Sequence, residues 1–294
     1  VYIRTSTRKM RLDADVTVLN PADDAVDVEV RCEAVHDETG EVEKTFPVQK
    51  TSVPAGSEAT VAVGQEWPDA KLWWPAEEYG DWPDCYRLRT TVLVDGEAVD
   101  VQEELFGFRE VWSEGRHFML NGVRWHMWNW VSVGREGRSD KESWLRAYFA
   151  LNHRFKRFGG GDNRLHGWRE RALDFYTRHG IPGRLSTCID GMFISHNLRN
   201  PRTWENFENH VRQVVKAYRN QPCVVQWSLG NELMLVTARN AYNRDYAVME
   251  ERANKLHLAA KELDPTRMCY QDGGGDLGGL GEINCQHYSW SRGI

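Results

Sequence analysis

The residues best suited to chemistry stand at the end of an apolar run. Residues 220–232 read Asn220-Gln-Pro-Cys-Val-Val-Gln-Trp-Ser-Leu-Gly-Asn-Glu232, so a buried-strand pattern passes directly into an amide and then a carboxylic acid. A carboxylic acid with a raised pKa can deliver a proton to a poor leaving oxygen. Asn231 beside it can hold a sugar 2-hydroxyl, a contact that strengthens as positive charge develops on the ring. An Asn-Glu pair in isolation is ordinarily a polar loop. This one gains weight from the strand before it, from the β–α pattern around it and from the aromatic content. The sequence holds 13 Trp beside 10 Tyr and 10 Phe, more ring surface than a core requires and well suited to stacking on sugar faces.

The elements that must position these groups come in two textures that meet near residue 110. From Arg8 to Phe108 short alternating runs are punctuated by turns. Leu12, Ala14, Val16 and Val18 form one run, Val26, Val28, Val30 and Cys32 another, and further strands are expected at 41–50, 57–63, 85–94 and 97–106. Asp95-Gly96 is a tight hairpin signal between the last two. About seven strands without helical periodicity suggest an immunoglobulin-like β-sandwich over residues 1–110, with 67–83 as a long loop reaching toward a neighbour. After Glu110, over 111–294, strands alternate with helices. Strands are expected at 123–130, 153–158, 181–187, 224–229, 267–271 and 283–288, and helices at 140–151, 168–179, from a Thr203 cap, and at 245–263. Buried strands joined by helices mean a parallel sheet, either doubly wound or a (β/α)8 barrel. No G-x-G-x-x-G opens a helix after the first strand, which weakens a dinucleotide-binding reading.

Composition bounds the function. The charge sum of 37 basic and 43 acidic residues, −6 overall, argues against a nucleic-acid partner bound through a broad basic surface. No apolar run approaches the roughly 18 residues of a membrane helix, so no membrane partner is expected. The six Cys lack C-x-x-C spacing, and buried thiols are the usual outcome, although Cys32 and Cys85 could face each other across the sandwich as a disulfide. No metal cluster stands out, and no cofactor is implied.

Four motifs carry a family resemblance. Trp73-Trp74-Pro75, Phe106-Gly-Phe-Arg109, Phe118-Met-Leu-Asn-Gly122 and Trp227-Ser-Leu-Gly-Asn-Glu232 resemble, in order, the landmarks of glycoside hydrolase family 2, which includes β-galactosidases, β-glucuronidases, β-mannosidases and exo-glucosaminidases. The resemblance implies a multidomain β plus α/β protein, with a jelly roll, then the immunoglobulin-like sandwich, then a catalytic (β/α)8 TIM barrel. It further implies a retaining exo-β-glycosidase acting on an oligosaccharide or glycoside with two glutamates, Glu232 being the general acid/base and Asn231 the 2-hydroxyl partner. Arg157, in Arg157-Phe-Gly-Gly-Gly161, resembles the second-strand arginine that orients the nucleophile, and Arg164 in Arg164-Leu-His166 competes for that place. His287 and Tyr288 resemble a pair lining the sugar site. Trp128, Asn129 and Trp130 end the first barrel strand as a stacking wall, and Asp190, after the third, is a candidate for sugar hydroxyls.

The sequence departs from the family pattern in places. The barrel is incomplete after the sixth strand, and no glutamate fits the nucleophile at the end of a seventh; Glu282 precedes a strand rather than ending one. The third strand carries Pro182, Gly183 and Arg184 where an apolar run is expected. The chain starts Val-Tyr-Ile-Arg-Thr without a Met, as expected of an internal piece of a longer enzyme or a truncated gene product. An open barrel exposes two sheet edges, so the isolated chain is expected to fold poorly and to lack turnover. The competing reading is a non-catalytic carbohydrate-binding protein on the same scaffold. A weaker one is an α/β oxidoreductase using the glycine-rich loops 159–161 and 273–281. A uronic acid substrate would need a cation, for which Arg184 or Arg199 is available, and the sequence is compatible with an oligomer.

Overall fold

A computed structural model of the chain describes residues 1–127, 141–158, 168–187, 189, 197–239 and 242–285. Period-2 alternation builds the first part. In β2 (Arg11–Asn20) Leu12, Ala14 and Val16 are buried while their neighbours face outward. β2 lies between β1 (Tyr2–Ser6) and β6 (Ser57–Glu66) in a three-stranded antiparallel sheet. The second sheet runs β4 (Val42–Thr45), β3 (Val26–His36), β7 (Tyr86–Val94), β8 (Glu97–Phe106), with β5 (Gln49–Val53) also paired to β3. The two sheets close over one core that includes Leu12, Val30, Phe46, Tyr86 and Phe106, giving the antiparallel sandwich expected. Asp95 and Gly96, at φ 50° and 84°, join β7 to β8 in the conformation that a two-residue hairpin needs. The expected strand at 41–50 is two strands, because Pro47 between them supplies no ladder donor. β1, which precedes the first expected strand, is an addition. Cys32 and Cys85 are both free: Cys32 belongs to the sandwich core, whereas Cys85 packs toward the helices and its thiol faces the Thr177 carbonyl.

A small antiparallel meander follows: β9 (Val111–Glu114), β10 (His117–Leu120) and β11 (Val123–Trp125). Here the sequence reading needs correction. Residues 123–125 are not the start of a buried barrel strand; the Asn121-Gly122 turn, at φ 50° and 86°, folds them back onto β10, and Val123 is exposed.

Four parallel strands come next: β12 (Lys156–Phe158), β13 (Gly183–Ser186), β14 (Val224–Asn231) and β15 (Met268–Asp272). Their spatial order is their sequence order, and α2 (Trp168–Arg178), α3 (Pro201–Tyr218) and α4 (Tyr246–Leu263) are the crossovers. A doubly wound sheet reverses direction at a switch point; unbroken succession is how a barrel grows. This segment is part of a TIM barrel. Its helices bury Trp204, Val211, Val215, Leu256 and Ala260 against Leu185, Trp227 and Leu229, and α1 (Lys141–Ala150) adds Trp144 and Tyr148. Asn200 caps α3, its side chain accepting from the Arg202 N–H at 3.0 Å with Pro201 at the first helical position. Thr203, the expected cap, instead donates its hydroxyl to the Asn197 carbonyl.

The odd composition of the third strand has a local explanation. Pro182 lies before β13 and needs no ladder donor, while its carbonyl accepts from the Lys156 N–H at 2.9 Å. At Gly183 a Cβ would meet the Lys156 carbonyl at 2.3 Å and the Phe158 ring at 2.7 Å, so only glycine fits. Of the expected sixth strand, residues 286–288 lie outside the described residues; Cys285 forms a bridge to Gly275.

Three of the four landmark motifs meet at the joint between sandwich and barrel. The Trp73 N–H donates to the Phe108 carbonyl at 2.9 Å, and Gly107 leaves room for the Trp73 ring, which a Cβ would approach to 2.7 Å. Asn121 donates to the Trp73 carbonyl at 3.0 Å and accepts from the Glu110 N–H at 2.9 Å. Trp73 donates its indole N–H to the Thr177 carbonyl at 2.9 Å. Buried Arg109 reaches the carbonyls of Pro222 and Val224, at the start of β14, at 2.8 and 2.6 Å. The loop after β6 therefore does reach the neighbouring domain.

Candidate active site

The fourth motif occupies the carboxyl end of the parallel sheet. Every residue of β14 is buried, and Asn231 and Glu232 at its end are each 6% exposed. Two backbone bonds fix the strand end. Asn231 donates its N–H to the Ile189 carbonyl at 2.8 Å, and Glu232 donates its N–H to the Asp272 carbonyl at 2.7 Å. Register shifts between Ser228 and Asn231, so β14 carries an extra residue relative to β15 just before the acid. Glu232 then turns into the left-handed region, φ 55° and ψ 13°, and a π-helical turn, Leu233–Ala238, begins. Bulges and π-turns interrupt regular structure where a side chain must be aimed rather than packed.

Beneath this end the sheet interior is polar. Arg157, Arg184 and Gln226 are aligned across β12, β13 and β14, and Ser186, Ser228 and Tyr270 form the next row. Phe158, Leu185, Trp227 and Cys269 point the other way, into the helix layer. Arg184 is the largest surprise. It is not a free cation for a uronate. Its guanidinium is ion-paired with buried Asp272 and donates to the Ser228 hydroxyl at 3.1 Å, with the Tyr270 ring 5.8 Å away. Burial opposes the Arg184 charge, but Tyr270 and Asp272 outweigh it and hold the guanidinium above its ordinary value. Asp272 also accepts from the Cys285 thiol at 3.3 Å, and burial pushes that thiol up to about 11.

The other expected residues fall as follows. Arg157 lies on the interior side of β12 and is exposed. Trp128, Asn129, Trp130, Arg164, Asp190, His287 and Tyr288 lie outside the described residues. Arg199 pairs with Asp245 at 2.8 Å on the surface. Glu282 accepts from Lys261 at 3.0 Å and from the Cys269 N–H at 2.8 Å, so its carboxylate is committed near the start of β15, not at a strand's carboxyl end. The glycine-rich loop after β15 opens only a three-residue 3-10 turn, Leu277–Gly279, which gives a dinucleotide phosphate no helix to rest on. Among the described residues, no group of three or more His, Cys, Asp or Glu is arranged to hold a metal ion.

Two sequence models bear on this arrangement. "Glycosyl hydrolases family 2" matches residues 1–109, and "Glycosyl hydrolases family 2, TIM barrel domain" matches residues 177–291, which includes Asn231 and Glu232. The chain belongs to glycoside hydrolase family 2. Among relatives, a β-galactosidase of Yersinia pestis is 26% identical over 237 residues, covering 75% of this chain and 20% of that protein. The β-galactosidase large subunit of Latilactobacillus sakei is 23% identical over 209 residues, covering 65% and 31%. The chain thus spans between a fifth and a third of these relatives. The same fold appears in Bacteroides uniformis β-glucuronidase 2 (TM-score 0.68, 21% identity, 91% of this chain and 32% of that one). It appears also in a family 2 β-galacturonidase of Eisenbergiella tayi (TM-score 0.70, 20% identity, 91% and 45%).

Proposed function

We propose that this chain carries the general acid/base of a retaining exo-β-glycosidase, with Glu232 in that role. The observation that carries the reading is the placement of Asn231 and Glu232 at the carboxyl end of a buried barrel strand, inside the segment matched by the family's barrel. In the first half-reaction the Glu232 carboxyl gives its proton to the glycosidic oxygen as the bond to the anomeric carbon breaks and a second carboxylate bonds to that carbon. In the second, the Glu232 carboxylate takes a proton from water as the water oxygen displaces the enzyme. The two carboxyls must stand about 5–5.5 Å apart. Among the described residues no glutamate other than Glu232 stands at the carboxyl end of a parallel strand, and we assign the nucleophile to a part of the gene product outside residues 1–294. Asn231 holds the 2-hydroxyl. Arg157, on the interior face of the second barrel strand, orients the nucleophile, and His287, Tyr288, Trp128, Asn129 and Asp190 line the sugar. The working units are residues 1–110, the sandwich, and 111–294, the barrel segment.

The test is Glu232→Gln in the full-length gene product, assayed on aryl β-glycosides of graded leaving-group pKa. Hydrolysis is expected to fall about 10³-fold for poor leaving groups and far less for activated ones. An unchanged rate removes Glu232 from the mechanism. Saccharide binding without any hydrolysis by the unsubstituted protein would favour the carbohydrate-binding alternative.

A further inference from the structure

Glu232 depends on Asp272 for its backbone conformation. Its N–H donates to the Asp272 carbonyl, and Asn231 lies opposite Asp272 in the sheet register. A non-glycine residue in the left-handed region is disfavoured by roughly 1–2 kcal/mol, so something must hold it there. Asp272 is itself held. Its carboxylate is buried and paired with Arg184, which also bonds Ser228. One side chain from β13 therefore ties β14 and β15 together on the interior face, directly beneath the strand ends that carry Asn231 and Glu232.

Stability is a poor explanation for this pair. Barrel interiors are filled mainly by branched apolar side chains. A buried ion pair rarely does better than apolar residues of similar volume, because desolvating two charges consumes most of their attraction. A guanidinium does offer a rigid planar fork with several donors, which fixes geometry in a way that an apolar contact does not.

We propose that Arg184 and Asp272 are positioning residues for Glu232. The ion pair fixes the end of β15, and the Asp272 carbonyl fixes the backbone from which the acid is aimed. The proposal rests on the reading of Glu232 as general acid/base. Loosening the pair misdirects the proton without dismantling the sugar site, so the defect belongs in kcat and grows as the leaving group needs more protonation.

The experiment uses the full-length gene product with Arg184→Met, Arg184→Lys, Asp272→Asn and the double variant Arg184→Met/Asp272→Leu. A displacement of about 1 Å in a reacting group costs on the order of 10²-fold, so kcat on poor leaving groups is expected to fall about 30- to 100-fold in Arg184→Met and Asp272→Asn. KM should stay within about threefold, and activated aryl glycosides should lose much less. The double variant, which leaves no unpaired buried charge, should fold and lose no more kcat than Arg184→Met. Arg184→Lys, which keeps the charge, should recover part of the loss. Glu232→Gln is run alongside. If it shows its leaving-group-dependent loss while the folded pair variants keep kcat within about twofold, or lose rate equally on all leaving groups, this proposal alone is overturned. An unchanged rate in Glu232→Gln overturns the underlying reading and this one with it.

Discussion

The phenol of Tyr2 and the carboxylate of Asp264, 262 residues apart in the chain, meet at 3.0 Å. Tyr2 opens the sandwich and Asp264 ends the last described barrel helix, so this bond joins the two halves of the described structure. Asp264 is fully buried and is the centre of a larger cluster. The Trp227 indole N–H donates to it at 2.8 Å and Arg267 at 2.7 Å, while Thr266 donates through both its N–H and its hydroxyl. The outer side of the strand that carries Glu232 is thereby anchored to the same carboxylate.

That cluster has a pH signature. Burial disfavours the Asp264 charge, but Arg267 and the hydrogen bonds from Thr266 and Trp227 prevail and hold its carboxyl at about 2 against an ordinary 3.8. A carboxyl lowered by folding stabilises the fold above its unfolded pKa and loses that contribution as pH falls through the folded value. Between about pH 4 and pH 2 this group should forfeit on the order of 2 kcal/mol. Urea unfolding across that range should show a steeper decline in the parent protein than in Asp264→Asn. Tyr2→Phe, which removes one partner, should cost about 1 kcal/mol at neutral pH.

Lys156 predicts a slope of the same sign at the alkaline end. Its ammonium lies 5.1 Å from the Trp144 ring centre and 5.6 Å from that of Tyr176, and burial lowers it from 10.5 to about 8. A lysine lowered by folding penalises the fold while charged, so stability should rise as pH climbs from about 8 to about 10.5. Lys156→Met should raise the unfolding free energy at pH 7 by roughly 1–3 kcal/mol and abolish the alkaline rise relative to the parent. An unfolding curve for the variant that still climbs over that interval would assign the effect elsewhere.

Gly180 is held by both conformation and contact. Its φ is +61°, and a Cβ there would stand 2.4 Å from the backbone nitrogen of Ala76, which donates to the Gly180 carbonyl at 3.0 Å. Gly56 has nearly the same φ, +60°, with nothing within 4 Å. Gly180→Ala should therefore cost clearly more than Gly56→Ala, about 3 kcal/mol against about 1. Equal losses in thermal unfolding would mean that the sandwich–barrel contact yields freely.

Asn231→Ala should lower kcat/KM by about 10²-fold or more on ordinary substrates, because a 2-hydroxyl contact that tightens in the transition state is worth several kcal/mol. On 2-deoxyglycosides the parent and the variant should converge. A loss of the same size on both substrates would place Asn231 in a structural role instead.

Local signals carried much of this architecture into the sequence. Alternation in β2 and β3, the Asp95-Gly96 turn, and the apolar stripe Trp204, Phe207, Val211, Val214, Val215 and Tyr218 each report their element directly, since burial on one face imposes a period. The Asn231-Glu232 pair stands out in the sequence because it closes a strand that is buried along its whole length. Asp272 closes β15 in the same way but is hidden in the sequence, because Gly273 to Gly275 follow it directly and place the strand end at Gln271. The pairing of Arg184 is not legible, because its partner Asp272 lies far downstream and periodicity carries no information about which charges will meet. The first barrel strand was misplaced for a similar reason: Val123 to Trp125 have strand composition, but the hairpin turn before them decides which neighbour they join.

The left-handed backbone at Glu232 sets chemistry and thermostability at odds on a single residue. Asparagine tolerates that conformation better than glutamate and glycine accepts it freely, so the proposed role of Glu232 carries a standing conformational cost. A relative freed of the proposed role would be expected to drift toward those two residues at this site and to melt later than this chain.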